Sequence, residues 1–202
     1  MSFSDVLHFR EQKLFSEIPG IYTSTKEDPN AIRAAIRMRD LIDPDDLRWA
    51  VDMTVKRYPY FCVELRRTEK DGWMFAQNSR PVILRHFREG AALNSPESNH
   101  HMLAFSWFDN WIIVDVFHGL TDGKGSYALI RTLLCNYCFR HYHMRLPGEG
   151  VRLVGDQISE EVWIDPLPAV PDVRICRPPP FVWWSWLYTA QRNTISLSIC
   201  PG

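Results

Sequence analysis

The sequence predicts an α+β fold, a two-layer sandwich in which a mixed, largely antiparallel sheet is flanked by helices. Three observations carry this prediction. A strong helix start at Asp43-Pro44 precedes an apolar pattern of helical period. Two apolar runs, 102–108 and 111–117, are separated only by Asp109-Asn110, which suits a tight turn between antiparallel strands. Residues 123–143 then return to a helical pattern.

The first predicted elements are a strand and a helix. In 31–39, apolar and charged residues alternate over the second half, which indicates a strand. Asp43 is placed to cap the helix that follows, and Pro44 fits its first position. Apolar residues at helical spacing extend this helix over 44–58, and Pro59 ends it.

The remaining strands fall into two pairs. Residues 60–65 and 73–76 predict a hairpin closed by Asp71-Gly72. The runs 102–108 and 111–117 are almost continuously apolar, which predicts a sheet covered on both faces. We therefore expect this sheet to lie in the core.

The end of the chain differs in composition from the rest. Residues 151–180 hold six of the 14 prolines. After Asp172 there is no acidic residue, and 181–188 is densely aromatic. We therefore predict an N-terminal domain over 1–172 and an atypical aromatic tail over 173–202, interpreted as a truncation or a frame-shifted reading beyond about Phe181.

Composition excludes some classes of function. The formal net charge of −1 provides no basic field for nucleic acid or an anionic membrane. The first residues show no basic n-region followed by an apolar h-region, so no secretory signal is expected. No window approaches the 18 apolar residues of a membrane span, so no spanning helix is expected. The five cysteines are odd in number and scattered, which predicts reduced, mostly buried thiols and a cytoplasmic location.

The most informative motif follows the last predicted strand. Residues 112, 114 and 116 share one face with His118, so this histidine continues that face beyond the strand end. Asp122 follows four residues later, and Gly123 opens the next helix. The spacing alone leaves two interpretations open. One is a capped turn with no chemistry, and the other is a loop that holds a general base.

His118-Gly119-Leu120-Thr121-Asp122-Gly123 resembles the His-x-x-x-Asp-Gly motif of the chloramphenicol acetyltransferase-like superfamily. That superfamily includes alcohol acetyltransferases and the condensation domains of nonribosomal peptide synthetases. The flanks 41–47 and 55–61 resemble its first helix and the strand after it, and 177–179 resembles a later segment. The similarity spans roughly 31–142. Condensation domains usually carry a second histidine where this chain has Phe117, which favours the acyl-CoA branch.

The resemblance implies a role for each residue of the motif. His118 is expected to act as general base, taking a proton from an alcohol or amine that attacks a thioester. Asp122 is expected to be structural, fixing the loop by pairing with one arginine among Arg33, Arg37 and Arg39. Gly123 is expected to let the helix start close to the loop. The co-substrate is expected to be acyl-CoA, most simply acetyl-CoA, with no tightly bound cofactor and no metal.

The resemblance covers only the first half of such an enzyme, so the expected function has alternatives. The chain is interpreted as an acyltransferase-like protein whose substrate tunnel would be completed by a partner chain or an oligomer. The alternatives are a non-catalytic remnant or binding module of the same fold, and a condensation-like fragment. Whether the chain is an enzyme stays open at this point, as do the donor and the acceptor.

Two further groups are interpreted as structural. Cys135, Cys138 and His141 have partial metal-ligand spacing on the predicted helix, but no fourth ligand accompanies them. Core cysteines and a histidine at the helix end are the favoured interpretation. His100-His101 is expected to be polar loop rather than a ligand pair.

Overall fold

Two sheets and two long helices form the part of the chain that the computed structural model describes, which is residues 12–13, 31–68, 72–87, 92–121, 123–145, 151–158 and 194–198. The chain divides into two compact units. The first comprises residues 1–156 and 192–202 and holds all the helices and strands named below. The second comprises 157–191, of which only Gln157 and Ile158 are described.

The strands form a small sheet and a larger one. The small sheet has the order β1-β4-β3, and the larger has the order β5-β6-β7-β2-β8. Pairing is antiparallel except for β5 with β6 and β2 with β8, so the larger sheet is mixed, as the sequence predicts. The strands are β1 Gln12–Lys13, β2 Ala31–Arg37, β3 Val63–Thr68, β4 Gly72–Gln77, β5 Leu84–His86, β6 Leu103–Phe108, β7 Trp111–Phe117 and β8 Thr194–Ser198.

Helix α1, Pro44–Arg57, begins as the sequence predicts. The Asp43 side chain accepts hydrogen bonds from the amides of Asp45 and Asp46, both at 2.9 Å. These bonds satisfy two of the amides that the first turn of a helix leaves unpaired. The helix ends at Arg57 with Tyr58 as its C-cap, and Pro59–Phe61 forms a short 3-10 helix.

Helix α2, Gly123–Tyr142, packs antiparallel to α1. Near the start of α1, the Tyr137 hydroxyl accepts a hydrogen bond from the Asp43 amide at 3.1 Å. Just beyond the end of α1, the Tyr58 hydroxyl donates to the Ala128 carbonyl at 3.1 Å. The first turns of α2 therefore lie beside the end of α1.

One strand prediction is wrong in its first three residues. Residues 60–65 were expected to be a strand, but β3 begins at Val63. Pro59 fixes the backbone in a turn conformation, and the Cys62 amide donates to the Pro59 carbonyl at 2.9 Å. The 3-10 turn therefore uses residues that would otherwise pair in the sheet.

Strands β6 and β7 are buried along most of their length, which confirms the prediction of a sheet covered on both faces. One face of β7 carries Ile112, Val114 and Val116 into the main core, which also holds Leu47 and Leu133 of the two helices. Phe117 belongs instead to a second, smaller cluster with Val63, Phe75 and Met102. The last residue of β7 is thus anchored on the side of the small sheet.

Candidate functional site

The turn that carries His118 is fixed by the residue before it. Phe117 is 2% exposed, and its amide donates to the Met102 carbonyl at 3.0 Å. The chain then reverses, because the Leu120 amide donates back to the Phe117 carbonyl at 3.0 Å. Leu120 packs against both hydrophobic clusters. The turn is therefore held on one side of His118 by the buried Phe117 and on the other by the partly buried Leu120.

Gly119 allows the backbone of this turn to approach the Phe117 ring closely. A Cβ atom added at position 119 would collide with Cε1 of Phe117 and come within 3.1 Å of its Cζ. The Phe117 side chain is buried and cannot move without disturbing the small cluster. A side chain at position 119 is therefore incompatible with this arrangement of the loop.

His118 is exposed at the end of the central strand pair, in the turn between β7 and α2. Its imidazole forms no hydrogen bond or ion pair with any described residue. Gly123 is the first residue of α2, as the sequence predicts. Asp122 lies outside the described residues, so its expected structural role stays a prediction. An exposed imidazole on a rigid turn is accessible to a substrate, but no described group orients it.

Two of the three arginines expected near Asp122 have contacts that the described residues show. Arg33 forms two hydrogen bonds to Asp115, with Nε to Oδ1 at 2.6 Å and Nη2 to Oδ2 at 3.1 Å. Arg37 lies over the Trp111 ring, with 5.9 Å from Cζ to the ring centroid. The described residues show no contact of Arg39 that bears on its expected pairing with Asp122. The Arg33–Asp115 pair was missed from the sequence, because Asp115 lies inside an apolar run and its register against β2 was unknown.

The histidine and cysteines of helix α2 have structural contacts. Nδ1 of His141 lies 2.9 Å from Oδ2 of Asp46, and Arg140 Nε lies 3.2 Å from the other oxygen of the same carboxylate. Cys138 is buried and Cys135 is half-buried. Burial raises the pKa of both thiols, to about 11 for Cys138. These contacts tie the end of α2 to the start of α1.

His101 lies in a loop, as the sequence predicts, but its side chain is fully buried. Its Nε2 lies 2.8 Å from the Arg80 carbonyl. Because a carbonyl only accepts, Nε2 carries the proton and Nδ1 has a lone pair. Nδ1 has no partner among the residues described. Burial lowers the pKa of His101, and the bond to Arg80 offsets this only in part.

A second polar group lies in the small sheet, where the sequence suggested no site. Glu64 pairs with Arg66 and also with Arg80, the latter at 2.6 Å. Burial alone would raise the pKa of Glu64, but the hydrogen bonds from the two guanidinium groups bring it below its ordinary value. An open concavity of about 300 Å³ lies over this group, with Asn94 and His100 also on its wall.

The described fold is shared with solved condensation domains. The first condensation domain of the calcium-dependent antibiotic synthetase, in complex with substrate analogue 2a, aligns with a TM-score of 0.50 at 16% identity. The alignment covers 68% of this chain and 40% of that chain. A second structure, of the first condensation domain of the CDA synthetase, gives 0.50 and 16%, covering 68% of this chain and 41% of that chain.

A third likeness is weaker. Polyketide synthase associated protein 5 from Mycobacterium tuberculosis aligns with a TM-score of 0.42 at 16% identity, covering 54% of this chain and 28% of that chain. This chain thus spans less than half the length of each of these proteins. No protein-family model and no curated protein matches the sequence. The likeness confirms the predicted condensation-domain-like half fold and carries no further conclusion.

None of the helices in the described ranges has the length and apolarity needed to cross a bilayer.

Proposed function

We propose that this chain is an acyltransferase-like protein that moves an acyl group from a thioester, acyl-CoA, to an alcohol or amine, with His118 as general base. The observation that carries the proposal is the position of His118. It is exposed on a turn held by Phe117 and Leu120, just after the end of β7, in a fold shared with condensation domains. An imidazole suits proton transfer because its ordinary pKa lies near neutral pH.

The proposed reaction needs one base and a place for negative charge. A ring nitrogen of His118 removes the proton of the acceptor as its oxygen or nitrogen attacks the thioester carbonyl. The new C–O or C–N bond forms, the C–S bond breaks, and the proton passes to the departing thiolate. Helix α2 begins five residues after His118, at Gly123, and its first amides favour negative charge nearby.

Asp122 and Gly123 have supporting roles in this proposal. Asp122 would hold the loop through an arginine of the sheet, and Gly123 would let α2 start close to His118. Neither residue is proposed to exchange a proton with the substrate. Phe117 stands where condensation domains usually have a second histidine, which favours acyl-CoA as the donor. The acetyl group is the simplest acyl group to test.

A second candidate is a non-catalytic remnant or binding module of the same fold. The observation that favours it is the absence of any hydrogen bond from His118 to the described residues. A general base is usually oriented by a second group, and here no described residue supplies one. A condensation-like fragment, which would need a partner chain to complete a tunnel, is a variant of the first candidate.

Thiol release distinguishes these candidates. The full chain is incubated with acetyl-CoA and longer acyl-CoA donors over a panel of alcohols and amines, and free thiol is followed by a chromogenic reagent. We expect acceptor-dependent release that falls about 10²–10⁴-fold in His118→Ala. His143→Ala removes another exposed histidine and serves as the matched control. Equal release by folded wild type and His118→Ala would exclude the general base, and no release with any donor would favour the binding module.

A further inference from the structure

Arg57 brings a positive charge into the interior at the end of helix α1. The residue is 2% exposed, which makes it one of the largest fully buried side chains in the described part of the chain. Its guanidinium lies over the Tyr58 ring, with 5.4 Å from Cζ to the centroid. A cation–π contact of this kind offsets only part of the cost of removing a charge from water.

The hydrogen-bonding capacity of Arg57 is not satisfied. Its Nε and Nη1 atoms are buried and have no acceptor among the described residues. Within the same residues, no carboxylate forms an ion pair with it, whereas Arg33, Arg66 and Arg80 each have one. Buried charges in proteins are normally paired, because an unpaired buried charge is strongly destabilising. Arg57 is therefore a buried cation whose unpaired donors a bound anion could satisfy.

The surroundings of Arg57 are also suited to an anion. The Tyr60 hydroxyl lies close enough to the guanidinium groups of Arg57 and Arg152 for both cations to act on it electrostatically. Burial raises the pKa of Tyr60 to about 12, so this hydroxyl stays neutral at physiological pH. The only acid in the segment 151–158 is Asp156, and it accepts from the Leu153 amide at 2.6 Å.

Helix α2 holds Arg152 beside this group. The Arg152 amide and carbonyl lie 3.4 Å and 3.3 Å from Oγ1 of Thr132, and that hydroxyl also contacts the Tyr58 hydroxyl at 3.1 Å. The Arg152 side chain itself is exposed, which leaves one side open to solvent. Two cations thus lie within electrostatic range of one neutral hydroxyl, where the end of α1 lies beside the first turns of α2.

We propose that Arg57, Tyr60 and Arg152 form a binding site for an oxyanion, either a carboxylate or a phosphoryl group. Guanidinium groups recognise both through charge-assisted hydrogen bonds. The anion would satisfy the buried donors of Arg57 and neutralise the pair of cations. Occupation of this site needs no turnover at His118, so the inference is independent of the proposed acyl transfer.

Thermal unfolding tests the site in the full chain. Wild type, Arg57→Met and Lys56→Met are unfolded in sodium chloride, inorganic phosphate and acetate at equal ionic strength and pH. Lys56 is the matched control, because it is an exposed cation one residue away on the same helix. In chloride, Arg57→Met is expected to unfold at or above the temperature of wild type, because an unpaired buried cation has been replaced by an apolar side chain.

The anion response gives the second readout. At about ten times its dissociation constant, the bound anion is expected to raise the Tm of wild type and Lys56→Met by about 4 °C, and to leave Arg57→Met unchanged. A response to phosphate but not acetate identifies a phosphoryl group, and a response to acetate identifies a carboxylate. Arg152→Gln, at an exposed position, is expected to weaken the affinity severalfold and covers the case in which Arg57→Met does not fold.

Two results would overturn the proposal. Wild type that responds to neither anion more than to chloride has no such site, whatever the stability of the variants. An undiminished rise in Tm with the anion in Arg57→Met, or in Arg152→Gln if the first variant does not fold, would show that the anion binds at another site. A strongly destabilised Arg57→Met together with an unresponsive wild type would show that a group of this chain already pairs with Arg57.

Discussion

Arg33 and Asp115 face each other across the β2–β7 pair and are joined by two hydrogen bonds, of 2.6 Å and 3.1 Å. Their side chains are only 15% and 5% exposed, respectively. Asp115 lies three residues before His118 on the strand that leads into the turn. This pair therefore fixes the register of the strand that presents the candidate base.

We expect a double-mutant cycle of Arg33→Ala and Asp115→Ala to give a coupling free energy of about 1–3 kcal/mol. The pair is two-pronged and mostly shielded from water, so it is screened less than a surface pair. Urea unfolding measures the four free energies. The control is the more exposed pair Arg48–Asp52, whose residues lie one helical turn apart with 2.9 Å between Nη2 and Oδ1. For this pair about 0.3–0.5 kcal/mol is expected. Equal coupling in the two cycles would contradict the prediction.

Stability is expected to decrease on acidification because of His101. Burial lowers its pKa in the folded protein, while the unfolded chain titrates near 6.5. Below pH ~6.5 the unfolded state binds more protons than the folded state. The contribution of His101 to the free energy of unfolding is therefore complete above this pH, and it is lost as the pH falls toward the lower pKa of the folded state. Urea unfolding at pH 7.5, 6 and 5 measures the decrease.

The matched variants for His101 test its assignment. His101→Gln keeps a donor for the Arg80 carbonyl but does not titrate, so the decrease between pH 7.5 and 5 should become smaller. His143→Gln changes an exposed histidine and should leave the decrease in stability between pH 7.5 and 5 unaltered. A slope that persists in His101→Gln would assign the acid sensitivity to other groups.

Gly119→Ala is expected to destabilise the protein by about 1–3 kcal/mol, because the new methyl group displaces the buried Phe117 ring. The same displacement moves His118, so any thiol-release activity should also fall. Chemical unfolding of Gly119→Ala in the wild-type and Phe117→Leu backgrounds isolates the cause. The smaller leucine leaves room for the methyl group, and the penalty should shrink there. An identical penalty in both backgrounds would exclude a collision with the ring.

The thiols of the described residues are expected to react slowly in the native protein. Burial raises the pKa of Cys62 to about 12, from an ordinary value of 9.0, which lowers its thiolate fraction at pH 8 roughly a thousandfold. Cys176 and Cys200 lie outside the described residues, so they are replaced by serine. Labelling with a disulfide reagent should then be slow in buffer and fast in urea, where all three remaining thiols react. Rapid labelling of native Cys62 would contradict this.

Local patterns predicted the regular elements closely. The Asp43 cap places the start of α1 correctly, and the tight turn at Asp109-Asn110 separates β6 from β7 as expected. These features depend on residues near in sequence, which is why a single chain reveals them. The predicted start of β3 was wrong because Pro59–Phe61 forms a 3-10 turn after the helix. Strand propensity alone does not reveal such a turn.

The chemistry between elements could be predicted less well. His118 was found because its motif is contiguous, and its turn does end the predicted strand. The partners of Arg33 and the burial of Arg57 depend on register and on helix packing, which one sequence does not encode in a readable pattern. His101 lies in a loop as expected, but its burial was not predicted, because it depends on contacts with residues distant in sequence such as Arg80.

Strand β8 pairs in parallel with β2, and Arg33 lies opposite Thr194, so the two partners are 161 positions apart (194 minus 33). Until residues 194–198 have been synthesised, the outer edge of β2 has no strand to pair with. Contacts this distant in sequence slow folding, and an unpaired edge can recruit a strand from another molecule. During translation, the edge of β2, the strand that holds Arg33, therefore stays without this partner until residues 194–198 have emerged from the ribosome.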